Sequence, residues 1–554
     1  MKKNDKVIDA IRRRSSEIEN DLIDELAAGR IGRREFLRHG SVIGLSLPLL
    51  GSLTAALGLG TVARPARAAG AAGGTIRVAM TVPTAAIDPV TVADGGGLIL
   101  LQQTGEFLTL SGSDLKLRPM LAESWKPNAD GTVWTFKLRT DVKFQNGQPM
   151  VADDVVATID RLADPKNSSN ALSAFTGVLS LGGTKKVDDH TVEFHLDAPN
   201  GNFPYYVSSD NYNAIILPAS YGGDFEKTFM GTGPFKLEKY TAKAGASFVR
   251  NPDYWGVKAL PDRTEFTFYA DLQPQVLALQ GGQADVIPQV PVQGAQALLT
   301  DKNVNIISLK SSAHQQVHMR TDSDPFKDKR VRQAIALCLD REKLVKGLFR
   351  GRAAVGNDSP FASVFPSTDN SVPQRKKDIK QAKELLEAAG MGKGFKVTLT
   401  TEKYLEIPDY AVIIQNAVKE IGITIDLNVE AQDAYYGKAV FGQSDWLDSP
   451  LGITDYGHRG VPNVFLAAPL KSDGTWNAAH FKNAEYDQLV TQYVGALDLG
   501  AQRAAAGKIQ RLLLDETPVI FGYFYDFLTP TVKKLGGVET TAMEQIFLAR
   551  ASFT

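Results

Sequence analysis

Six candidate site residues with ionisable or aromatic side chains lie close together between Phe441 and Phe465, in a segment rich in glycine and proline. They are Trp446, Asp448, Asp455, Tyr456, His458 and Arg459. Charged groups in an irregular segment on a rigid scaffold are suited to binding a small ligand. Arg459 can bind a ligand carboxylate through two parallel hydrogen bonds, or it can pair internally with Asp455. The segment therefore predicts a site for a zwitterionic or charged compound.

Other residues of this segment have structural alternatives that the sequence leaves open. Trp446 either lines a cleft through its apolar face or packs in a core. His458 either binds a metal or responds to pH, or it is a hydrogen-bonded structural residue. Three tyrosines are further candidates for the same site, namely Tyr404, Tyr435 and Tyr436.

The sequence contains no motif of a known catalytic class, since a P-loop, HExxH and GxSxG are all missing. His314 and His318 form an H-x-x-x-H pair, a spacing that can hold a metal ion on a helix. Here the pair lies in a predicted strand, and no acidic motif accompanies it. We therefore predict neither an enzyme nor a bound metal or cofactor.

Composition indicates a large globular protein rather than a nucleic-acid binder. The 554 residues are 43% hydrophobic and carry a formal net charge of −1. This balance gives no basic surface for DNA or RNA. The length is enough for at least two domains with large cores.

Hydrophobic patterning predicts an α/β protein with strands concentrated before residue 310 and helices after residue 315. The first part contains predicted strands at Thr75–Met80, Val133–Leu138, Val192–Leu196, Phe235–Tyr240, Ser247–Arg250 and Asp262–Ala270. The second part contains predicted helices at Asp328–Leu348, Asp378–Ala389, Tyr410–Glu420, Glu485–Leu497 and Ala501–Leu514. Strands at Phe395–Leu399 and Ile423–Val429 flank a helix, which favours a parallel pair.

The segment Leu117–Arg161 predicts a hairpin, a tight turn and a helix. Asn128–Gly131 is a turn signal, and the following strand places Trp134, Phe136 and Leu138 on one face. Asn146-Gly147 marks a second turn. Asp153 or Asp154 then caps a helix.

As a string, this segment resembles the signature region of family 5 extracellular solute-binding proteins, the dipeptide, oligopeptide and nickel binding components of ABC importers. The matching residues are Leu117, Pro119, Leu121, Ala122, Ser124, Trp125, Asp130, Gly131, Trp134, Phe136, Leu138, Arg139, Val142, Phe144, Gly147, Pro149, Ala152, Asp154 and Val155. Further motifs of that family resemble Gly231–Phe235, Asn251–Trp255, Asp328–Arg341, Ala382–Gly390, Ile421–Ile423 and Asn483–Leu489. The likeness covers almost all of the chain after residue 70.

The resemblance implies a two-lobed periplasmic-binding-protein fold of the large type II kind, with an extra N-terminal subdomain and a ligand cleft between the lobes. Mapped onto this chain, lobe I spans residues 69–312 and includes the extra subdomain at about 111–229. Lobe II spans 313–518, and residues 519–554 return to lobe I. The chain then crosses between lobes near Leu309–His318 and near Asp515–Phe524.

The resemblance also implies a receptor that captures a small solute, most readily a peptide, and delivers it to a membrane permease. Within that family an acidic residue of the corresponding loop meets the amino terminus of a peptide ligand. Asp455 is the best match to that residue, and Asp448 is the second. The alternatives are an opine, a sugar, a polyamine or a nickel complex as ligand, or an enzyme or chaperone built on the same fold.

The first 68 residues read as a cleaved export signal rather than a domain. An Arg33-Arg34 pair followed by Phe36-Leu37 precedes an uncharged run from Ser41 to Val62, which is typical of twin-arginine signals. Ala66-Arg67-Ala68 is a small-x-small site, so we expect cleavage after Ala68. An uncleaved membrane anchor is the alternative, because an uncharged run of this length can span a bilayer.

Cys338 is the only cysteine and lies far from the signal, so no lipid anchor is expected at the cleavage site. Its position on the apolar face of a predicted helix indicates a buried small hydrophobe. We therefore expect a free periplasmic monomer whose partners are its ligand, the permease of an ABC importer and, during export, the twin-arginine translocase.

Overall fold

The fold is that of a computed structural model, which describes residues 8, 11–12, 15–57, 59 and 72–554. The predicted cleavage position after Ala68 lies outside these residues. Within the described part of the chain, no helix is both long and apolar enough to cross a membrane.

Lobe I and the extra subdomain are built from the first half of the chain. The strands are β1 Thr75–Thr81, β2 Thr109–Ser111, β3 Leu117–Pro119, β4 Ala122–Pro127, β5 Val133–Leu138, β6 Thr184–Asp188, β7 Thr191–His195, β8 Phe235–Thr241, β9 Gly245–Arg250, β10 Arg263–Tyr269 and β11 Val304–Leu309. Among the described residues, the helices α1 Glu17–Ala27, α2 Arg33–Val42 and α3 Leu47–Ala56 precede them. The interspersed helices are α4 Gly95–Thr104, α5 Ala152–Ala163, α6 Leu172–Phe175, α7 Phe225–Thr228, α8 Leu272–Gln280 and α9 Gln296–Thr300, with 3-10 helices at Pro165–Asn167 and Phe203–Val207. Each strand predicted here from the sequence is found within two residues of its expected bounds.

Two four-stranded sheets organise this half. Lobe I has the order β1-β10-β9-β8, with β1 parallel to β10, and the subdomain has the antiparallel order β4-β5-β7-β6. Trp134 and Phe136 of β5 are fully buried and Leu138 nearly so, which confirms the predicted strand face. The helix α5 differs in detail from its prediction, which had Asp153 or Asp154 as the capping residue. Its N-cap residue is Val151, and the Asp154 carboxylate accepts from the Val151 amide at 2.8 Å. The side chain that caps the helix thus belongs to a residue of the first helical turn.

Lobe II is built around a five-stranded mixed sheet in the order β15 Thr424–Glu430, β14 Lys396–Glu402, β16 Leu451–Tyr456, β12 His314–Met319 and β17 Val519–Phe521. Lobe II also contains the strand β13 Ala353–Val355. Its helices are α10 Lys329–Leu337, α11 Arg341–Leu348, α12 Ile379–Ala388, α13 Ile407–Val418, α14 Gln432–Tyr436, α15 Asp445–Asp448, α16 Asn463–Ala467, α17 Ala484–Gly495 and α18 Leu499–Glu516, with a 3-10 helix at Lys419–Ile421. The predicted parallel pair is confirmed, because β14 and β15, which α13 connects in the chain, are hydrogen-bonded neighbours in parallel register.

The single helix predicted over Asp328–Leu348 is instead two helices. α10 ends at Leu337, and Asp340 starts α11, because its carboxylate accepts from the amide of Lys343 at 3.1 Å. Cys338 lies at the break, is 1% exposed and donates its thiol to the Ala334 carbonyl. Its predicted burial is confirmed.

The chain returns from lobe II to lobe I through its last strands, β17 Val519–Phe521, β18 Tyr523–Tyr525, β19 Phe527–Val532, β20 Leu535–Gly536, β21 Glu539–Thr540, β22 Ile546–Phe547 and β23 Ser552–Phe553. β17 pairs with β12 and β18 with β13, so both belong to lobe II. Pairing with β11 begins only at Phe527. Val519–Phe521 thus extends the five-stranded sheet, and Tyr523–Tyr525 forms a separate two-stranded sheet with β13. The lobe boundary at residue 518 stays a prediction.

The described N-terminal helices pack against the rest of the chain. Side chains of Leu22, Phe36 and Leu53 form a small core that also includes Leu499 of α18. Arg38 is 3% exposed and donates to the carbonyls of Val364 and Gly460 and to the hydroxyl of Tyr205. The structure thus describes the chain with these helices docked on it, and removal of the segment stays a prediction.

Candidate functional site

A cavity of about 730 Å³ lies between the two lobes. One wall comes from residues between 80 and 99 of lobe I, the opposite wall from Tyr404, Leu405, Asp455 and residues 457–459 of lobe II, and a third from residues 542–544. Its volume falls within the roughly 300–1,000 Å³ range of small-ligand sites. The cavity is therefore large enough for a short peptide or a compound of similar size.

Sheet topology explains how carboxylates reach this cavity. β14 and β16 are parallel neighbours, so Glu402 and Asp455, near their carboxyl ends, lie at one edge of the sheet. That edge is where open α/β sheets usually bind ligands. The amide of Asp455 donates to a Glu402 carboxylate oxygen at 3.2 Å, which joins the two strand ends.

The Asp455 carboxylate faces the cavity and keeps spare acceptor capacity. The Tyr525 hydroxyl donates to it at 3.0 and 3.3 Å from its two oxygens. Burial, followed by repulsion from Glu402, raises the pKa of Asp455 well above its usual range, and the Tyr525 hydrogen bond offsets only part of this. A ligand cation at this position would remove the repulsion and stabilise the ionised form.

Two of the other carboxylates around the cavity already have protein partners. Glu402 accepts from the Gln432 amide at 2.6 Å and from the Tyr436 hydroxyl at 2.8 Å. Asp94 caps α4 by accepting from the Gly97 amide at 3.0 Å. These two acids therefore support the walls of the cavity more than they offer free acceptors to a ligand.

Glu544 is different, because no described residue makes a hydrogen bond or ion pair with its carboxylate. It lies in the turn between β21 and β22 with a φ of 59°. This left-handed conformation costs a residue with a side chain roughly 1–2 kcal/mol. Burial, with repulsion from Asp94, raises the pKa of Glu544 to about 7. The sequence holds no glycine at this turn, so nothing in it indicated a site there.

Arg459 is the cationic side chain on the wall that includes Asp455. Its guanidinium donates to the His458 carbonyl at 3.0 Å, and within the described residues it makes no ion pair with a carboxylate. The alternative of internal pairing with Asp455 is thus not what the structure has. Arg459 also borders a second cavity of about 270 Å³ between the subdomain and lobe II, which it shares with Tyr212.

His458 is a neutral hydrogen-bond acceptor beside Arg459. Burial lowers the pKa of His458 to about 3, and the charges of Arg38 and Arg459 add to this effect. Its Nδ1 accepts from the Ser312 amide at 3.0 Å. Ser312 also donates its hydroxyl to the Arg459 carbonyl at 2.8 Å, so it fixes the backbone of the wall.

The structure places the remaining predicted site residues beside the cavity rather than in it. Trp446 is 6% exposed and packs edge-to-face on Tyr436, with 5.2 Å between ring centroids. Tyr456 stacks on His314 at 5.4 Å. Asp448 accepts from the amides of Gly442 and Ser444 at 2.9 and 3.1 Å, which closes its own loop.

Strand periodicity explains this separation. The segment that looked irregular contains β16, and successive residues of a strand point to opposite faces of the sheet. Asp455 therefore reaches the cavity while Tyr456 joins the core behind it. Of the three further tyrosines, Tyr404 and Tyr436 line the cavity, whereas Tyr435 donates to the Ile453 carbonyl at 3.1 Å inside the lobe.

The histidine pair of β12 is buried in lobe II. His318 contacts the Ser449 carbonyl at 3.0 Å and His314 contacts the Ser312 carbonyl at 2.8 Å. Burial lowers the pKa of both rings, to about 3 for His314 and about 4 for His318. Among the residues that the structure describes, no group of three or more His, Cys, Asp or Glu side chains is arranged to hold a metal ion.

Comparison with known families gives a match over most of the chain. The model described as "Bacterial extracellular solute-binding proteins, family 5 Middle" matches residues 116–457, more than half of the 554 residues. This match includes the cavity wall from Tyr404 to Gly457 but ends before Arg459 and Glu544.

Two curated proteins show similarity over most of their length. The dipeptide-binding protein DppE of Bacillus subtilis is 28% identical, with 76% of this chain and 81% of that protein covered. Heme-binding protein A of Haemophilus influenzae is 25% identical, with 75% and 81% covered. The relatives thus differ in the ligands that their names give.

A solved structure shares the fold. The periplasmic binding protein DppA of Helicobacter pylori, in complex with the peptide STSA, superposes with a TM-score of 0.72 at 22% identity. The alignment covers 87% of this chain and 98% of that chain. The predicted two-lobed α/β architecture is therefore confirmed.

Proposed function

Because this chain belongs to the bacterial extracellular solute-binding proteins of family 5, we propose that it captures short peptides and delivers them to an ABC importer. It is a binding protein and not an enzyme. The cavity between its lobes is the proposed peptide site, and closure of the lobes about the ligand is the proposed signal to the permease.

The observation that carries the peptide assignment is the pair of opposite charges on one wall. Asp455 has a half-buried carboxylate that accepts from a single hydroxyl, and Arg459 has a guanidinium with no ion-pair partner among the described residues. A free peptide offers an amino terminus to the first and a carboxylate to the second. Charged hydrogen bonds in a closed cavity are stronger than neutral ones, so both ends of a zwitterion would be held.

Two neighbouring crossing segments give the lobes a defined hinge. The Tyr525 amide donates to the Ala313 carbonyl at 3.0 Å, and Lys310 pairs with Asp526 at 3.0 Å. These contacts join the segment between β11 and β12 to the segment between β18 and β19. We propose that rotation about this pair of segments opens and closes the cavity.

Peptide binding is expected to raise the thermal stability of the purified protein. Ligand at a hundred times its dissociation constant adds about 2.7 kcal/mol to the free energy of unfolding. The measurement is a thermal-shift screen against di- to pentapeptides, opines, oligosaccharides, polyamines and nickel chelates, followed by mass analysis of the recovered ligand. A shift with peptides that are recovered unchanged supports the proposal, whereas a shift confined to another class would replace the peptide by that class.

We also propose that residues 1–68 are a twin-arginine export signal and that the processed protein is a free periplasmic monomer. The support is the Arg33-Arg34-x-Phe-Leu pattern, the uncharged run after it and the small-x-small site at Ala66–Ala68. The lone cysteine, Cys338, lies in lobe II, far from the proposed cleavage site, which argues against a lipid anchor.

Replacing Arg33 and Arg34 together by lysine is expected to stop export of the protein. The twin arginines are the feature that this export route reads, so lysines that keep the charge should still fail. The measurement is immunoblotting of periplasmic and cytoplasmic fractions. Arg13→Lys with Arg14→Lys is the matched control, since that arginine pair lacks the following Phe-Leu. Normal periplasmic levels of the Arg33/Arg34 variant would contradict the assignment.

A further inference from the structure

Acidic groups outnumber basic ones among the side chains that line the main cavity. Three carboxylates, those of Asp94, Asp455 and Glu544, face one guanidinium, that of Arg459. His458 adds no charge, because burial lowers its pKa to about 3. A zwitterionic peptide backbone would pair its amine with Asp455 and its carboxylate with Arg459. The carboxylates of Asp94 and Glu544 would then have no partner on the peptide backbone.

The Asp94 carboxylate has hydrogen-bond partners within the protein. Its carboxylate caps α4 and also accepts from the Thr84 amide at 3.3 Å. Negative charge at the amino end of a helix is stabilised by the helix dipole and by the free amides of the first turn. Asp94 is therefore held by lobe I with or without a ligand, and Glu544 remains.

The turn that carries Glu544 is firmly anchored. The Thr541 amide donates to the Gln545 carbonyl at 3.1 Å, and the Thr541 hydroxyl donates to the Gln545 side chain at 2.8 Å. Gln545 in turn donates to the Ser209 carbonyl at 2.7 Å. These bonds hold Glu544 at its positive φ, and left-handed residues of this kind concentrate at ligand sites.

We propose that Glu544 is a second cation anchor and that the preferred ligand is a peptide with a lysine or arginine side chain. This inference rests on the proposed function, because it assigns Asp455 and Arg459 to the two ends of the peptide. A half-buried carboxylate without a partner gains most from a ligand cation, which restores the hydrogen bonds and the charge balance that burial removed.

The neighbours of Glu544 suit the same ligand. Tyr212 and Tyr404 line the cavity with it, and the pKa of each phenol is raised mainly by burial, with a smaller contribution from the Glu544 carboxylate. Both hydroxyls therefore stay protonated and neutral near pH 7. Aromatic faces next to a carboxylate are a favourable surface for an ammonium or guanidinium group.

The test compares three tripeptide series by calorimetry on the processed protein. Each series moves one residue through the three positions of an alanine tripeptide, and that residue is lysine, uncharged norleucine or glutamate. At its best position we expect lysine to bind about tenfold or more tighter than norleucine, as a charged hydrogen bond in a closed site provides. Glutamate should bind more weakly than either.

The variant Glu544→Gln should bring the lysine-to-norleucine affinity ratio close to one. Glu539→Gln, an exposed acid in the same hairpin, should leave the wild-type ratio unchanged. Asp210→Asn tests the neighbouring cavity, where a buried Asp210 oxygen has no hydrogen-bond partner among the described residues. If the lysine-to-norleucine affinity ratio fell to about one in Asp210→Asn but not in Glu544→Gln, the ligand cation would bind in that neighbouring cavity, and the proposal would be overturned.

The wild-type protein alone can also overturn it. Equal affinities for the lysine and norleucine series mean that peptides bind without a second cation anchor, which rejects this inference and leaves the proposed function intact. No binding in any of the three series rejects the proposed function and this inference with it. A Glu544→Gln variant that fails to fold does not affect either outcome.

Discussion

Replacing Asp455 by asparagine is expected to weaken peptide binding by roughly 100-fold or more, because it removes the charge that holds the ligand's amino terminus. Loss of one partner from a desolvated charged hydrogen bond costs about 2–5 kcal/mol of binding free energy. Asparagine keeps the size of the side chain and can still accept from the Tyr525 hydroxyl. The measurement is the dissociation constant for one peptide, by calorimetry, in the variant and the wild-type protein.

The same substitution is expected to stabilise the unliganded protein, by about 1 kcal/mol. The pKa of Asp455 is raised in the folded state by burial and by Glu402, so ionising it costs folding free energy. The wild-type protein is therefore most stable at low pH, where Asp455 is protonated, and loses stability as the pH rises. The gain in unfolding free energy from asparagine should be larger at pH 8 than at pH 5. Loss of binding together with gained stability excludes simple misfolding as the cause.

Asp445→Asn is the matched control, since Asp445 is an exposed acid of the same segment and does not line the cavity. It should bind peptide as the wild-type protein does. If Asp455→Asn also retained wild-type affinity, the amine would be held elsewhere and the assignment of this wall would be wrong.

Replacing Asp358 by alanine is expected to destabilise lobe II by about 3–5 kcal/mol, because it leaves the buried guanidinium of Arg341 and the half-buried one of Arg375 without a counter-charge. The Asp358 side chain is fully buried and accepts two hydrogen bonds from Arg341, at 2.7 and 2.8 Å. Arg375 pairs with it at 3.0 Å, and the Phe521 amide of β17 donates to it at 3.2 Å. One carboxylate thus connects two arginines and a strand of the central sheet.

The measurement is denaturant unfolding followed by far-UV circular dichroism, with the midpoint compared between variant and wild type. Glu384→Ala is the control, because Glu384 makes an exposed pair with Lys380 on α12, and such pairs contribute about 0.5 kcal/mol or less. A loss below about 1 kcal/mol for Asp358→Ala would show that the two arginines find other partners.

Much of the fold could be predicted from local sequence patterns. The alternation of Trp134, Phe136 and Leu138 predicted β5, and the strand–helix–strand spacing predicted the parallel pair of β14 and β15. Such elements depend on periodicity and turn residues that are close together in the chain. The break between α10 and α11 was missed because Asp340 caps the second helix inside a continuous apolar pattern.

The site could be predicted only in part, for a different physical reason. Its walls come from residues near 80–99, near 404–459 and at 542–544, and only folding brings them together. Asp455, His458 and Arg459 were found because their segment is dense in charged residues. Glu544 was missed because a left-handed turn without glycine leaves no local signal.

The most direct test of peptide capture is calorimetry of the wild-type protein with Ala-Lys-Ala and with its N-acetylated form. Acetylation removes the positive charge of the amino terminus and keeps the rest of the peptide. We expect the free peptide to bind and the acetylated one to bind roughly 100-fold more weakly, since a desolvated charge pair is lost. Equal affinities, or no binding by either peptide, would contradict the account.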